Sequence, residues 1–273
     1  MSLLEKTKSL LRNYRSLPKK TFGQNFMIEP SIYERMVKLA SLDKADTVLD
    51  IGAGLGFLTH FIADNCRTVL AVEADKELAH ILREQLTSMS NVEVIEGDIL
   101  GADIPPFNKI VSTPPYNVSS RLLLWILDQS FDCAVLVFQK EFADRLVAPV
   151  GSRKYGWLAV WTYFHAEVEL LDDVSRTMFY PQPKVDSVIT RLTPKRLRLH
   201  KADNVATFKK LVQTLFTQRN KKVRGAVLPY LRSTRGMSKS DAAKIAEVLP
   251  FCDKRVRELA PEDFGALANV IIE

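Results

Sequence analysis

The stretch VLDIGAGLG, residues 48–56, decides the fold of this chain. An apolar run that leads into glycines at alternate positions is typical of a strand that turns tightly into a helix. Because glycine has no Cβ, a ligand can approach the backbone of such a loop closely. The dinucleotide-binding pattern GxGxxG is not met, since the third glycine comes one residue early. The loop by itself is therefore weak evidence for nucleotide binding.

Short β-branched runs alternate with amphipathic stretches on both sides of this loop. The sequence predicts strands at 47–51, 68–72, 92–95, 109–112 and 133–138, with helices between them at segments such as 55–64 and 76–88. This alternation indicates an α/β fold with a doubly wound, mostly parallel, Rossmann-like sheet. Two later strands, 168–171 and 187–192, flank a proline-marked loop and are expected to pair antiparallel at one sheet edge.

The pattern changes after Pro194, where the sequence predicts helices at 205–218, 221–231, 238–249 and 261–272. We therefore expect an α/β domain over residues 1–194 and a small, all-helical C-terminal domain over residues 195–273.

Charge divides the chain in the same way. Residues 195–273 contain 17 Lys or Arg and 8 Asp or Glu, whereas residues 1–194 contain 21 and 24. The segment 1–26 has six basic residues against the single acid Glu5. Two basic ends around an acidic middle predict a polyanion-binding surface, with an ordinary solvated surface as the plainer alternative.

Several classes of protein are disfavoured. No apolar run approaches the roughly 20 residues that span a bilayer, and the charged N-terminus lacks a signal-peptide core. Cys66, Cys133 and Cys252 stand far apart, and the four histidines have no metal-ligand spacing. We expect a cytoplasmic protein with reduced thiols, no metal site and no membrane partner.

Two acidic residues follow the second and third predicted strands. Glu73 comes 21 residues after Gly52, where a carboxylate meets ribose hydroxyls in nucleoside-binding sheets. Asp98 follows Gly97, where a side-chain acceptor can hold an adenine amine. The carboxyl ends of neighbouring parallel strands share one edge, so the loop and both acids are expected in one crevice. They suit a nucleoside with a short zwitterionic tail, which describes S-adenosylmethionine; ordinary loop acids are the alternative.

The fourth predicted strand ends in STPPYN, residues 112–117. This segment resembles the (Asn/Asp/Ser)-Pro-Pro-(Tyr/Phe/Trp) motif of methyltransferases that modify exocyclic amines of bases. Such an amine is a poor nucleophile because its lone pair is delocalised into the ring. Two acceptors for its N–H groups favour a pyramidal nitrogen, and we predict the Thr113 side chain and the Pro114 carbonyl for this role. Tyr116 is expected to stack on a flipped base.

With these motifs placed, nearly the whole chain resembles the small-subunit ribosomal RNA adenine N6-dimethyltransferases. Further segments carry the resemblance: KKTFGQNF at 19–26, QKE at 139–141 with Tyr155-Gly156, FYPQPKVDS at 179–187 and FTQRNKK at 216–222. The resemblance implies a cytoplasmic monomer that uses S-adenosylmethionine and acts on small-subunit rRNA or on the pre-assembled small subunit. Two adjacent adenosines near the 3′ end of that RNA are the implied target.

The resemblance also implies roles for individual residues. Cofactor contacts fall on Gln24, Asn25, Gly52, Gly54, Gly56, Glu73, Asp98, Ile99 and Thr113. Catalytic roles fall on Thr113, Pro114, Tyr116 and Phe179, and RNA contacts on Arg219, Lys221 and Lys222. The family usually has Asn at the position of Thr113. A threonine hydroxyl is an adequate but differently placed acceptor, so we expect activity to survive.

Three other functions fit parts of the pattern. The erythromycin-resistance type of large-subunit rRNA methyltransferase shares the fold and the acceptor motif, but the basic helical tail and segment 179–187 favour the small-subunit family. A non-catalytic assembly or transcription factor is expected to lose cofactor residues, which are present here. A DNA adenine methyltransferase is separated by comparing DNA with immature small subunits as substrates.

Overall fold

A computed structural model describes residues 1–195 and 202–272. The strands are β1 (Phe26–Met27), β2 (Thr47–Ile51), β3 (Thr68–Glu73), β4 (Val92–Glu96), β5 (Lys109–Ser112), β6 (Cys133–Gln139), β7 (Ala166–Val174), β8 (Phe179–Tyr180) and β9 (Ser187–Pro194). The helices are α1 (Leu3–Asn13), α2 (Pro30–Ala40), α3 (Phe57–Ala63), α4 (Lys76–Gln85), α5 (Ser119–Leu127), α6 (Lys140–Leu146), α7 (Trp157–His165), α8 (Ala202–Phe216), α9 (Val223–Ala226), α10 (Leu228–Ser233), α11 (Lys239–Val248) and α12 (Pro261–Ile272).

The main sheet has seven strands in the order β4-β3-β2-β5-β6-β9-β7. The five strands β4, β3, β2, β5 and β6 are parallel to their neighbours, and β9 runs antiparallel to β6. This confirms the predicted Rossmann-like fold. The chain moves outward from β2 to β4 and then returns to β5 on the other side of β2. Ligands in such sheets bind at the carboxyl ends of the strands where the order reverses.

Burial explains why these segments form central strands. In β2 and β3 every residue after the first threonine is buried. A strand that is buried along its whole length needs cover on both faces, which the helices of a doubly wound fold supply. Helix α2 contacts β5 and β6, while α4 contacts β3 and β4. These four strands are therefore held in place by helices that pack against them.

The chain forms two compact units, Met1–Ala143 with Val168–Pro194, and Asp144–Glu167 with Lys195–Glu273. The sequence pattern predicts residues 144–167 as part of the N-terminal domain, whereas the structure groups them with the C-terminal helices. The reason is that α7 contacts α8 and α12. Trp161 of α7 stacks on Phe208 at 6.4 Å between ring centroids, and the Tyr155 hydroxyl donates to the Leu259 carbonyl at 2.9 Å.

Two local features differ from the sequence-based expectation. The helix expected over 221–231 is divided into α9 and α10, and Pro229 lies in the first turn of α10. Proline has no N–H and fixes φ, so it suits a helix start better than a helix interior. Strands β1 and β8, which were not predicted, pair antiparallel through Phe26 with Tyr180 and Met27 with Phe179. Among the described residues, no helix is both long and apolar enough to cross a membrane.

Candidate active site

One cavity of about 400 Å³ lies in the first unit, where β4, β3, β2 and β5 end. A volume of this order is typical of small-molecule sites. Most of the residues predicted from the sequence line it together: Gln24, Asn25, Gly52, Gly54, Glu73, Asp98, Ile99, Thr113, Pro114, Tyr116 and Phe179. Gly56 does not line it. A Cβ on Gly56 would lie 2.8 Å from a Leu82 methyl carbon, so this glycine allows the start of α3 to pack against α4.

The glycine loop forms the floor of the cavity. The backbone N–H groups of Gly52 and Ala53 both donate to the Val72 carbonyl, at 2.8 and 3.0 Å, which ties the loop to β3. Gly52 has φ +72°, and a Cβ there would lie 2.9 Å from Cδ of Pro115. A side chain at this position would therefore be strained and would also push the loop away from the acceptor motif.

Glu73 is 6% exposed at the end of β3. Its two carboxylate oxygens accept backbone N–H groups from Gly54 and Asp75, both at 2.8 Å. Burial raises the pKa of Glu73, while these two hydrogen bonds oppose the rise. A backbone hydrogen bond from Ala74 also reaches the carboxylate. The carboxylate is thus fixed in direction and can accept hydroxyl groups from a ligand in the cavity.

Asp98, which is predicted to accept the adenine amine, lies just after the neighbouring strand β4. Asp98 is exposed, and one of its carboxylate oxygens accepts the Leu100 N–H at 3.1 Å. The other oxygen has no described hydrogen-bond partner. Ile99, directly after it, is buried and adds an apolar wall to the cavity.

The N-terminal segment is tied to the end of β3 by a polar network that the sequence did not reveal. The Gln24 amide oxygen accepts the Lys19 N–H at 2.7 Å, and its amide nitrogen donates to Asp75 at 2.8 Å. Lys19 also donates to Asp75 at 2.9 Å. Gln24 therefore holds this segment at the cavity. The Asn25 amide nitrogen donates to the Gly23 carbonyl, and its amide oxygen has no described partner.

Two oxygens of the acceptor motif, residues 112–117, accept no hydrogen bond from the described residues. Ser112 is buried, and its hydroxyl donates to the Ile51 carbonyl at 2.6 Å, which joins β5 to β2 just before the glycine loop. No described group donates to the Thr113 hydroxyl or to the Pro114 carbonyl, whereas the Pro115 carbonyl accepts the Val118 N–H. The two oxygens predicted to hold the amine thus have no donor among the described residues, and both residues line the cavity.

Two aromatic rings line the end of the cavity that contains Thr113 and Pro114, which we call the acceptor end. Tyr116 and Phe179 meet edge to face, with ring centroids 6.1 Å apart. The Tyr116 hydroxyl is hydrogen-bonded to Ser187 at 2.7 Å, and burial raises the pKa of Tyr116 to about 12, against the smaller effect of that bond. The phenol therefore remains neutral at physiological pH. Phe179 is placed by the β1–β8 pairing, which brings it opposite Met27.

The chain matches a known protein family over almost its whole length. The model of the family described as ribosomal RNA adenine dimethylase matches residues 15–271. The chain belongs to this family. It is an S-adenosylmethionine-dependent methyltransferase that acts on adenine in ribosomal RNA.

Relatives of this dimethylase match over almost their whole length. A probable ribosomal RNA small subunit methyltransferase A of Methanosarcina acetivorans is 37% identical over 97% of this chain and 98% of its own. A protein of the same name from Thermococcus onnurineus is 40% identical over 95% and 94%.

Two solved structures resemble the dimethylase in fold. A dimethyladenosine transferase from Plasmodium falciparum has a TM-score of 0.76 and 28% identity, covering 88% of this chain and 94% of its own. The 23S rRNA methyltransferase ErmE has a TM-score of 0.67 and 30% identity, covering 91% and 100%.

The basic side chains predicted to bind RNA differ in whether they already have a hydrogen-bond or ion-pair partner within the protein. The Arg219 guanidinium is partly buried and donates to the carbonyls of Arg153 and Ser152, both at 2.8 Å. Lys222 forms an ion pair with Asp253 at 2.8 Å. The exposed Lys221 side chain has no described partner. It lines a surface cleft with Arg232, which also has no described partner. Charge counting along the sequence could not make this distinction.

A buried acid beneath the site makes stability depend on pH. Asp50 accepts the Thr59 hydroxyl at 2.8 Å, and burial raises its pKa from 3.8 to about 7, with the nearby Glu73 adding to the rise. Because the folded state binds the proton more tightly, this contribution to stability falls as pH rises from about 4 through 7. Asp50→Asn is expected to raise the melting temperature at pH 8 by about 3–8 °C.

The gain at pH 5 is expected to be smaller, because Asp50 is then protonated in the folded protein. Thermal unfolding of Asp50→Asn and wild type at both pH values measures this difference. Asp103→Asn, a change of an exposed acid, is the matched control. An equal gain at both pH values would contradict the coupling of Asp50 protonation to folding.

Proposed function

We propose that the enzyme methylates N6 of two adjacent adenosines near the 3′ end of small-subunit rRNA during ribosome assembly. The observation that carries this proposal is the position of Thr113, Pro114, Tyr116 and Phe179 in the same cavity as the glycine loop and Glu73. The names of the archaeal relatives favour the small subunit as substrate. The cytoplasm, where small subunits are assembled, is the proposed location, with a monomer as the acting form.

The cavity residues fit S-adenosylmethionine. Gly52 and Gly54 have positive φ values and leave space that a Cβ would fill, while Glu73 offers fixed carboxylate oxygens to ribose hydroxyls. Asp98 has a free oxygen for the adenine amine, and Ile99 contacts the same space. When bound, S-adenosylmethionine supplies an electrophilic methyl group on a sulfonium. The rest of the chemistry is positioning by the protein, which can contribute a large part of a rate enhancement.

The acceptor residues orient the adenine amine. Thr113 and the Pro114 carbonyl each accept one amine N–H, which favours a pyramidal nitrogen with its lone pair directed away from the ring. Tyr116 and Phe179 hold the flipped base through their ring surfaces. The Ser187 hydrogen bond fixes the Tyr116 ring, so the base is presented in one orientation.

The second unit supplies the RNA affinity. Lys221→Gln is expected to flatten the slope of log K against log salt concentration by about 0.7–0.9, because one phosphate contact is lost. Lys222→Gln is the matched control with the same charge change. Its effect is expected to be smaller, since Asp253 already neutralises Lys222. Filter binding to small-subunit rRNA measures both slopes. Salt concentrations of roughly 50 to 200 mM are used, because affinity changes strongly over this range.

Equal slopes for the two variants would contradict the idea that Lys221 contacts phosphate more strongly than Lys222.

Because the Arg219 side chain donates to the carbonyls of Arg153 and Ser152, Arg219→Gln is expected to lower thermal stability as well as RNA affinity.

The proposed substrate is tested with undermethylated small ribosomal subunits and methyl-labelled S-adenosylmethionine. Label on two adjacent adenosines near the 3′ end of the small-subunit RNA is the expected result. Naked small-subunit RNA, large-subunit RNA and DNA are incubated in parallel. The similarity to ErmE makes the large-subunit RNA the most informative comparison. Label only in large-subunit RNA, or only in DNA, would overturn the proposed substrate.

A further inference from the structure

Arg121 lies in the first turn of α5, and its side chain is exposed. It lines the active-site cavity, in which it is the one cationic side chain among the described lining residues. The acidic side chains that line the same space are Asp50, Glu73 and Asp98. Each of these acids already accepts a hydrogen bond from Thr59, from backbone N–H groups or from the Leu100 N–H.

Arg121 has no ion pair and no hydrogen bond to any part of the chain that the structure describes. Most arginines of the first unit are engaged: Arg35 pairs with Asp172, Arg83 with Glu96, and Arg191 with Glu169. A guanidinium that lines a ligand cavity without a partner has five N–H donors available to an anion.

The strand order locates this cation at the acceptor end of the cavity. Glu73 ends β3 and Gly97–Asp98 follow β4, on one side of β2, whereas the acceptor motif lies at the end of β5 on the other side. Arg121 comes five residues after Tyr116 along the chain. One helical turn before it, the Asn117 amide donates to the Thr21 carbonyl at 3.1 Å, and both residues also line the cavity.

We propose that Arg121 binds a backbone phosphate of the substrate RNA next to the nucleotide whose base enters the cavity. This inference rests on the proposed function, since it needs an RNA nucleotide flipped into the site. A flipped base stays attached to its sugar and phosphates, which must lie at the rim beside the acceptor residues. A planar guanidinium can hold two phosphate oxygens at once, which positions the backbone as well as binding it.

Three variants test the contact. Arg121→Gln removes the charge, Arg121→Lys keeps the charge without the planar fork, and Arg67→Gln is the control. Arg67 is exposed at the amino end of β3, opposite the cavity, and donates to Thr47. Each protein is assayed for methylation of undermethylated small subunits, for binding of a 3′-terminal fragment of small-subunit rRNA at several salt concentrations, and for S-adenosylmethionine affinity by calorimetry.

Arg121→Gln is expected to raise KM for the RNA about five- to twentyfold and to flatten the salt slope by about 0.7–0.9. Arg121→Lys is expected to keep the slope but to retain only part of the affinity. S-adenosylmethionine affinity is expected to match wild type in both Arg121 variants. The Arg67→Gln control is expected to match wild type in all three assays.

An unchanged KM and slope in Arg121→Gln, with active wild type, would overturn the phosphate contact and leave the proposed function intact. A loss of S-adenosylmethionine affinity would also overturn it, because the guanidinium would then bind the cofactor carboxylate. If wild type fails to modify small-subunit RNA, the proposed function falls and the inferred contact with it.

Discussion

Glu73→Ala is expected to weaken S-adenosylmethionine binding by about 10- to 150-fold, equivalent to about 1.5–3 kcal/mol. The carboxylate is 6% exposed and is held by the N–H groups of Gly54 and Asp75. Its removal deprives the ribose hydroxyls of this acceptor and leaves backbone donors, among them the N–H groups of Gly54 and Asp75, without partners. Isothermal titration calorimetry of the purified enzyme with S-adenosylmethionine measures the change.

Two further variants separate binding from folding. Glu73→Gln keeps the side-chain shape but can accept fewer hydrogen bonds, so an intermediate loss of affinity is expected. Glu93→Ala makes the same truncation at an exposed position on the adjacent strand β4 and is expected to leave affinity unchanged. Wild-type affinity in a folded Glu73→Ala protein would remove Glu73 from the cofactor site.

Much of the first unit could be predicted because its signals are local. The β-branched runs end in Asp50-Ile51, Glu73 and Ser112, and the structure ends β2, β3 and β5 at or next to these residues. In parallel sheets the residues that follow such strands lie at one edge, so linear spacing was enough to place the glycine loop, Glu73 and Thr113 together.

Long-range pairing was outside the reach of the sequence pattern. Strands β1 and β8 have two residues each, too few to show alternation, yet their pairing places Phe179 beside the acceptor motif. The Lys19–Asp75–Gln24 network joins residues more than 50 positions apart. Asp50 gave no sign that burial would move its pKa to about 7. Such effects depend on which groups become neighbours after folding.

The same limit explains the basic residues. Arg219, Lys221 and Lys222 are equivalent as charges in a sequence. In the folded chain, Arg219 donates to two backbone carbonyls and Lys222 pairs with a carboxylate, while Lys221 has no described partner. Arg121 is one more cation in the sequence, and only the cavity lining distinguishes it. Free cations can be told from engaged ones only when their partners are placed.

Thr113→Val is expected to lower turnover about 10- to 100-fold with little change in cofactor affinity. Valine keeps the branched shape and deletes the hydroxyl, which in the structure has no other partner among the described residues. The amine then loses an acceptor, a cost of about 1–3 kcal/mol, and about 1.36 kcal/mol corresponds to a tenfold change in rate. Single-turnover assays on undermethylated small subunits measure the chemical step directly.

The matched variants assign the effect to the hydroxyl itself. Thr113→Ser retains the acceptor and is expected to stay near wild-type turnover, whereas Thr113→Asn, which introduces the residue usual in the family, is expected to be active with an altered ratio of mono- to dimethylated product. Tyr116→Ala is expected to slow the reaction by a different route, through loss of base stacking worth about 1–3 kcal/mol. The competing explanation is that Thr113 only shapes the turn and that backbone carbonyls such as that of Pro114 hold the amine alone. Wild-type turnover in Thr113→Val would support that explanation, since Ser112 already anchors the turn through the Ile51 carbonyl.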